Sequence, residues 1–358
     1  MNHQVNGGGC KVALVLGSGG ARGYAHIGVI EALESRGFEI ISISGCSMGA
    51  LIGGLYAAGK LPEYRSWVSE LDYLDVLRLV DVTWSPMGAM RANKVMEKLD
   101  ALIHDTRMED LPIPLTTVAT DMVRQREVWF QNGSLLRAIR ASIAVPGVIT
   151  PVTLGEQVLV DGGLLNPLPM MPALAAHKAD IVIAVNVTAH SPQPVTLEEM
   201  LPAADVPAER VDATGENAVV VSRWMRDVKS ATRRLWEGLG SLAEKDAVEA
   251  PGAEERGKRE WGKLDMILQS FDITQAALAR YKIAGYPPDV LIEVPKTVCS
   301  AYEFHRASEL IRLGRYLADE ALERHLGGEA RRGACADAAA DTGPANGDES
   351  NDTVSSVR

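Results

Sequence analysis

Two apolar runs near the start of the chain each end in a glycine-rich turn that leads into a helical pattern. Lys11–Leu16 is typical of a buried strand and is followed by Gly17–Gly23, and Glu39–Ser44 is followed by Gly45–Gly49. Apolar residues at helical spacing resume after each turn. Strands that alternate with helices in this way predict a mainly parallel sheet covered by helices on both faces. The predicted fold class is therefore a three-layer α/β/α fold.

The same pattern continues along the chain, without an internal repeat. The first two helices are predicted at Tyr24–Ser35 and Met48–Ala58. Further strands are predicted at Leu115–Thr120, Glu127–Phe130, Gln157–Val160, Asp180–Val187 and Val290–Val294. Further helices are predicted at Asn93–Ile103, Ser134–Ser142, Asp265–Tyr281 and Ala301–His325. These elements extend the predicted α/β domain to most of the chain.

Composition divides the chain into a domain, an extension and a tail. Residues 1–10 form a short N-terminal extension, and residues 11–326 form the α/β domain. Within that domain, residues 190–264 lose the α/β pattern and gain Pro, Glu, Ala and Arg, which predicts a helical or irregular insertion. Residues 327–358 have no large apolar residue except the valines near the end, so we expect a disordered tail.

Charge and cysteine usage exclude several classes of protein. The formal net charge is -11, which argues against a protein held on nucleic acid by phosphate contacts. The four cysteines are scattered without a CxxC pair, so neither a disulfide framework nor a zinc cluster is indicated. No apolar run approaches the ~20 residues that span a bilayer, and the first residues lack a signal-peptide pattern. We expect a cytoplasmic protein without a metal ion or cofactor.

Gly45–Gly49 has the pattern of a nucleophile elbow, with Ser47 at its centre. A strand that turns sharply into a helix strains the residue at the apex and needs small neighbours. The serine hydroxyl is then presented at the amino end of the helix, where backbone N–H groups stabilise an oxyanion. The alternative is a glycine-rich turn whose serine only caps the helix.

Gly17–Gly23 follows the first strand and has two chemical interpretations. Consecutive glycines let backbone N–H groups converge on an anion, either a dinucleotide pyrophosphate or the oxyanion of an acyl-transfer intermediate. The GxGxxG spacing fails because Arg22 stands at the third glycine position, and the second strand does not end in an acidic residue. An oxyanion hole that serves Ser47 is therefore favoured over dinucleotide binding.

A serine nucleophile needs a base, and Asp161 is the strongest candidate. It ends a predicted strand and is followed by two glycines, so its carboxylate sits on a bend. The alternative is an ordinary Asp-Gly turn. None of the seven histidines lies in a loop of small residues, although a triad with His177 or His190 stays open.

These motifs together resemble the patatin-like phospholipases, and among them the bacterial relatives of neuropathy target esterase. The resemblance rests on Gly17–Gly23, Gly45–Gly49 and Asp161–Gly163 in this order, and it covers residues 10 to 190. Shorter matches are Ala25–Leu33, Leu111–Pro114, Ala119–Asp121, Ala141–Gly147 and Ala184–Val187. The family implies a three-layer hydrolase that cleaves lipid esters.

The resemblance also implies roles for individual residues. Ser47 and Asp161 would form a catalytic dyad without histidine, and Gly19 and Gly20 would supply oxyanion-hole N–H groups. Independently of the resemblance, the position of Arg22 in the glycine loop predicts that it holds the loop or binds an anionic headgroup. Asp121 matches an acid common in the neuropathy-target-esterase branch, and its alternative role is a turn at a strand end. The chain departs from the family at Ser18, where glycine is usual.

The insertion contains a pattern that suits a membrane surface. Residues 219–242 place apolar side chains, two tryptophans among them, at helical spacing between five basic and two acidic residues. A basic amphipathic helix of this kind can act as a lid or dock on anionic lipid, and the alternative is a core helix with a solvated face. The expected substrate is an amphiphilic ester, with lysophospholipid favoured. The rival class is a regulatory or adaptor protein that keeps the fold without catalysis.

Overall fold

The computed structural model describes residues 9–79, 93–175, 178–202 and 263–340. Eight strands in these ranges form one mixed sheet. They are β1 (Lys11–Leu16), β2 (Glu39–Cys46), β3 (Leu115–Asp121), β4 (Arg126–Phe130), β5 (Val152–Leu154), β6 (Gln157–Asp161), β7 (Ile181–Ala189) and β8 (Val290–Pro295). Their order is β5-β6-β3-β2-β1-β7-β8, and β4 pairs with β3.

The helices of the described ranges precede, join or follow these strands. They are α1 (Ala25–Ser35), α2 (Met48–Ala57), α3 (Leu61–Glu70), α4 (Tyr73–Leu79), α5 (Asn93–Ile103), α6 (Leu135–Ser142), α7 (Met170–Leu174), α8 (Leu197–Met200), α9 (Lys263–Gly285) and α10 (Ala307–Ala340). Short 3-10 helices lie at Gly20–Tyr24, Met108–Asp110, Gly162–Leu164 and Phe304–Arg306.

The centre of the sheet is parallel, and one side of it is antiparallel. β1 pairs in parallel with β2 and β7, β2 pairs in parallel with β3, and β7 pairs in parallel with β8. β4 and β6 are antiparallel to β3, and β5 is antiparallel to β6. All residues of β1 after Lys11 are buried, as expected for a strand with helices on both faces.

Successive residues of β1 face two different helical layers. Ala13 and Val15 pack with Leu168, Met170 and Ala279, from the segment around α7 and from α9. Leu16 points to the other face, where its side chain lies below Gly53 of α2. Side chains alternate between the faces of a strand, so helices on both faces are needed to bury such a sequence. This confirms the predicted three-layer α/β/α fold.

The register of β3 brings the ends of two other strands together. β4 covers one edge of β3 from Thr117 onward, so β2 and β6 share the other edge, end to end. Cys46, the last residue of β2, lies opposite Val118, and Asp161, the last residue of β6, lies opposite Ala119. Because β2 is parallel and β6 antiparallel to β3, their carboxyl ends meet about 3.4 Å apart along β3.

The last helix differs from the sequence prediction at both ends. It begins at Ala307, after the 3-10 helix Phe304–Arg306, and it continues to Ala340. The helix thus overlaps residues 327–340 of the predicted disordered tail, and that tail stays a prediction. This stretch is rich in alanine, the best helix former, and needs no large apolar side chain to continue a helix that is already nucleated.

Some short elements of the fold were not predicted, and part of the predicted insertion lies outside the described residues. Helices α3 and α4 and the three-residue strand β5 are not expected from the sequence. The chain divides into a main unit, residues 1–200 with 268–358, and a second unit, residues 201–267. The amphipathic segment 219–242 lies outside the described residues, so its helix and the proposed division at 190–264 stay predictions.

Candidate active site

Ser47 lies at the apex of the turn between β2 and α2 in a strained backbone conformation. Its φ is 54° and its ψ is -121°, in a region that residues with a side chain rarely adopt. The turn is tight because the start of α2 packs directly on the end of β1. A methyl group at Gly49 would overlap the carbonyl oxygen of Leu16. The second glycine of the motif is therefore required by close backbone approach.

A buried serine on α6 holds this strained turn from below. The Ser142 hydroxyl accepts a hydrogen bond from the Ser47 amide at 2.9 Å and donates to the Val118 carbonyl at 2.7 Å. Ser142 is fully buried, so both bonds form out of water. Ser142 thus connects the elbow to β3, the strand whose register brings β2 and β6 together.

The carboxylate of Asp161 meets the hydroxyl of Ser47 directly. Ser47 Oγ donates to Asp161 Oδ2 at 2.6 Å, and the Gly163 amide donates to Asp161 Oδ1 at 2.7 Å. Asp161 is 0% exposed and Ser47 is 5% exposed. Both carboxylate oxygens therefore have a donor, and one of those donors is the candidate nucleophile.

Burial makes the Asp161 carboxylate a stronger base. It raises the pKa of Asp161 to about 7, although the hydrogen bonds from Ser47 and Gly163 act in the opposite direction. The Cys46 thiol lies 4.0 Å from Oδ1 and stays protonated, because burial and then the charge of Asp161 raise its pKa. A carboxylate with a pKa near 7 accepts a proton at neutral pH far better than an exposed one.

The loop Gly17–Gly23 closes over the amino end of α2. A Cβ at Gly49 would lie 2.9 Å from the carbonyl oxygen of Gly17, and a methyl group at Gly23 would overlap Met48. The amides of the first residues of α2 have no acceptor within their own helix. The loop and the helix terminus thus place several backbone N–H groups around the turn that carries Ser47.

The amides of Gly19 and Gly20, the residues predicted to bind an oxyanion, have no acceptor among the hydrogen bonds of the described ranges. The amides of Ser18 and Ala21 on either side both donate to a backbone acceptor. Gly20 has a φ of 60°, and a side chain there would overlap the carbonyl of Ala301. Only glycine fits this position, for both reasons.

Arg22 fixes the peptide that carries the Gly20 N–H. Its Nε donates to the Gly19 carbonyl at 3.1 Å, its Nη1 donates to the Lys296 carbonyl at 2.9 Å, and its Nη2 pairs with Asp272 at 2.7 Å. In a trans peptide the N–H points away from the C=O. Arg22 is 3% exposed. Of its two predicted roles, these contacts favour holding the loop.

Comparisons with known proteins agree with this architecture. A family model described as patatin-like phospholipase matches residues 14–174. An uncharacterized NTE family protein of Mycobacterium tuberculosis is 43% identical over 330 residues, which cover 87% of this chain and 91% of the relative. A relative from Mycobacterium bovis matches to the same extent. The chain belongs to the patatin-like phospholipase family. Membership implies a lipid hydrolase and confirms the resemblance inferred from the motifs.

Two more distant similarities cover parts of larger proteins. The protein named Lysophospholipase NTE1 of Cryptococcus neoformans is 31% identical over 183 residues, 49% of this chain and 11% of the fungal protein. The solved structure of VipD from Legionella pneumophila is 14% identical, with a TM-score of 0.41, over 88% of this chain and 67% of that chain.

Asp121 serves a turn at the end of β3. Its carboxylate accepts from the amides of Val123 and Arg124 and from the side chains of Arg124 and Gln157. Burial would raise its pKa, but these donors outweigh burial and lower it. Within the described residues, none of its hydrogen bonds reaches Ser47 or Asp161. These contacts favour the turn over a supporting role in catalysis.

No histidine of the described residues contacts the Asp161 carboxylate. His177 lies outside the described residues, and His190 is exposed. In the described ranges, the partners of the Asp161 carboxylate are Ser47, Gly163 and the Cys46 thiol. His26 is buried, with Nε2 bonded to the Gly17 carbonyl at 2.8 Å, and burial lowers its pKa to about 4. It therefore stays neutral under the glycine loop.

Two residues that contact the site, Ser142 and Gln275, have no distinctive pattern in the sequence around them. Ser142 lies in the matched stretch Ala141–Gly147, but nothing in its neighbours indicates a contact with the Ser47 amide. Gln275 contacts the glycine loop from α9, more than 250 positions later in the chain. Both contacts depend on tertiary packing between segments that are far apart in sequence.

Proposed function

We propose that this protein is a serine acyl hydrolase that cleaves carboxylic esters of (lyso)phospholipids through an acyl-Ser47 intermediate. The observation that carries the proposal is the 2.6 Å hydrogen bond from Ser47 Oγ to Asp161 Oδ2, at a strained elbow. A hydroxyl, a buried base and free backbone amides are the components that ester hydrolysis by covalent catalysis needs.

In the acylation step, Asp161 accepts the Ser47 proton while Oγ attacks the ester carbonyl carbon. The carbonyl π electrons move to oxygen, and the oxyanion accepts hydrogen bonds from Gly19 and Gly20. As the tetrahedral intermediate collapses, the C–O bond to the alcohol breaks and the proton on Asp161 passes to the leaving alkoxide. The products are the acyl enzyme and the free alcohol, for example a glycerophosphodiester.

In the deacylation step, water takes the place of the alcohol. Asp161 accepts a proton from water while the water oxygen attacks the acyl carbon, and the same amides stabilise the second oxyanion. Collapse breaks the bond to Ser47 Oγ, and the proton returns from Asp161 to that oxygen. The fatty acid is released and both residues regain their starting protonation states. No cofactor or metal ion enters this scheme.

The similarity to a protein named lysophospholipase, over 49% of this chain, supports lysophospholipid as the preferred substrate. A single-chain lipid is also a smaller and more water-soluble ester than a diacyl lipid. No helix in the described part of the chain is long and apolar enough to cross a membrane. We propose that contact with a lipid surface is peripheral and is made by the amphipathic segment 219–242.

The test is hydrolysis of a p-nitrophenyl ester and of a lysophospholipid by the wild type, Ser47→Ala and Asp161→Asn. We expect both variants to lose at least about a thousandfold in kcat, since nucleophile and base act as a unit. Ser35→Ala and Asp110→Asn, at exposed positions, are matched controls that keep wild-type turnover. Turnover that survives in Ser47→Ala would exclude the acyl enzyme. A wild type inert toward every ester would favour the non-catalytic adaptor.

A further inference from the structure

One face of α9 contacts several parts of the site. Asp272, Gln275 and Lys282 recur at spacings of three and seven residues, which places them along one side of the helix. Asp272 pairs with Arg22, and Lys282 pairs with Glu127 at 3.3 Å. The helix is therefore attached to the glycine loop at one position and to β4 at another.

Gln275, between these two ion pairs, bonds the residue that precedes the proposed oxyanion hole. Ser18 Oγ donates to Gln275 Oε1 at 3.2 Å, and the two residues are 3% and 4% exposed. The Ser18 amide donates to the Pro167 carbonyl at 2.8 Å. Ser18 is thus held through both its backbone and its side chain, directly before the Gly19 amide.

The other side of the Gln275 amide lies against the turn that follows Asp161. A methyl group at Gly163 would overlap Gln275 Nε2 and would approach Ser18 Oγ to 2.9 Å. The Gly163 amide is the donor to Asp161 Oδ1. Gln275 therefore packs between the loop that carries the proposed oxyanion amides and the turn that fixes the base.

The hydroxyl at position 18 explains why a polar partner is needed here. Ser18 replaces the glycine that the family resemblance expects, and a buried hydroxyl without a partner is costly. Gln275 supplies the acceptor and fills the space beside Gly163. The serine and the glutamine thus form one unit, although they lie 257 positions apart.

We propose that Gln275 is a positioning residue for the reaction: through Ser18 it fixes the glycine loop, and against Gly163 it keeps water from the Asp161 turn. This proposal rests on the proposed function. The Gln275 side chain does not touch the reacting atoms. It acts through the position of the Gly19 and Gly20 amides and through the surroundings of the carboxylate.

The first experiment is a double-mutant cycle on hydrolysis of lysophospholipid. Gln275→Met keeps the volume and removes the acceptor, and we expect kcat to fall about tenfold or more with KM little changed. Ser18→Gly removes the hydroxyl that needs the acceptor. The double variant should be no slower than Gln275→Met alone, since the two residues act as one unit. Gln269→Ala, at an exposed position of the same helix, is the matched control.

The second readout is the pH dependence of kcat/KM in two variants of Gln275. A loss of packing alone would not shift the acid limb of this profile in opposite directions in the two variants. Two titratable groups of the described structure lie near the Asp161 carboxylate. The Cys46 thiol is 4.0 Å from Oδ1, and the pKa of Tyr302 is raised to about 12 by burial and then by nearby charges that include Asp161. Gln275→Ala opens space for water beside Gly163 and should move the acid limb to lower pH. Gln275→Glu keeps an acceptor for Ser18 but adds a negative charge, and should move the limb to higher pH.

The outcomes separate this inference from the proposed function. A wild type without ester turnover would refute the function itself. An active wild type with Gln275→Met indistinguishable from Gln269→Ala, or with effects of Ser18 and Gln275 that multiply independently, would overturn the positioning role alone. If Gln275→Met fails to fold, Gln275→Glu decides between the outcomes: an unshifted acid limb contradicts the proposal, and a limb shifted to higher pH supports it.

Discussion

At the scale of single residues, the proposed reaction depends on one carboxylate, which can act as the base because it is buried. Asp161 is fully buried, and burial raises its pKa to about 7. The base must be ionised to accept the Ser47 proton, so kcat/KM should rise with pH through a midpoint near 7 and level off above it. Fatty-acid release from a lysophospholipid between pH 5 and 9 measures this profile. A rate that stays constant over that range would contradict the role of Asp161 as base.

Arg22 should affect catalysis more than an ordinary buried arginine does. Lysine cannot reproduce the three separate contacts of its guanidinium, so Arg22→Lys should free the Gly19 carbonyl and displace the Gly20 amide. We expect kcat to fall about a hundredfold, close to the loss of one oxyanion donor. Arg36→Lys is the control, since Arg36 is buried and paired with Asp319. Equal kcat values for the two variants would assign Arg22 a purely structural role.

The sequence predicts those residues of the site whose side-chain chemistry and flanking residues both indicate a catalytic role. Ser47 stands between glycines after an apolar strand, and Asp161 stands before two glycines at a strand end. The residues that hold them give no such signal. Ser142 and Gln275 are polar residues in helices, and an ordinary solvent-facing residue would give the same local pattern. Their role follows from burial and from partners that only the tertiary fold brings close.

At the scale of elements, the end of β2 and the start of α2 are held by α6. Ser142→Ala would leave the buried Ser47 amide without an acceptor, which costs about 1–3 kcal/mol of stability and lets the strained turn relax. Ser134→Ala on the same helix removes an N-cap bond to the Arg137 amide and costs about 1 kcal/mol. We expect kcat to fall in the first variant alone. Thermal unfolding together with kcat for both serines would show whether Ser142 acts on the elbow.

The meeting of β2 and β6 on β3 shows what strand prediction leaves open. The sequence predicts both strands close to their observed ranges, β2 from Glu39 and β6 from Gln157. Their end-to-end arrangement depends on pairing with consecutive residues of a third strand, Val118 and Ala119. Local periodicity does not encode which strands pair or in which register, so the distance between Ser47 and Asp161 does not follow from the sequence.

At the scale of the whole molecule, the raised pKa of Asp161 makes the fold less stable at the pH where the enzyme would work. The folded state holds the Asp161 proton more tightly than the unfolded chain, whose value is near 3.8. The stabilising contribution is present at low pH and is lost as pH rises toward 7, by as much as about 4 kcal/mol. Asp161→Asn should therefore raise the melting temperature at pH 8 and leave it almost unchanged at pH 4. A variant less stable than wild type at pH 8 would refute this.

His26 gives the molecule the opposite dependence on pH. Burial lowers its pKa to about 4, so the folded state holds the neutral ring, whereas the unfolded chain takes up a proton near 6.5. This stabilising contribution is complete above pH 6.5 and is lost as pH falls toward 4, and at pH 5 the loss is about 2 kcal/mol.

His26→Gln keeps an N–H donor that can reach the Gly17 carbonyl. We expect this variant to lose less stability between pH 8 and pH 5 than wild type does, by chemical denaturation at both values. His190→Gln, at an exposed position, should retain the wild-type difference. Asp161 gains a similar amount of stability over the same interval, so the two contributions nearly cancel in wild type. The double variant Asp161→Asn with His26→Gln should therefore have a pH dependence close to that of wild type, whereas the two single variants should depart from it in opposite directions. A double variant that departs as far as His26→Gln alone would contradict this.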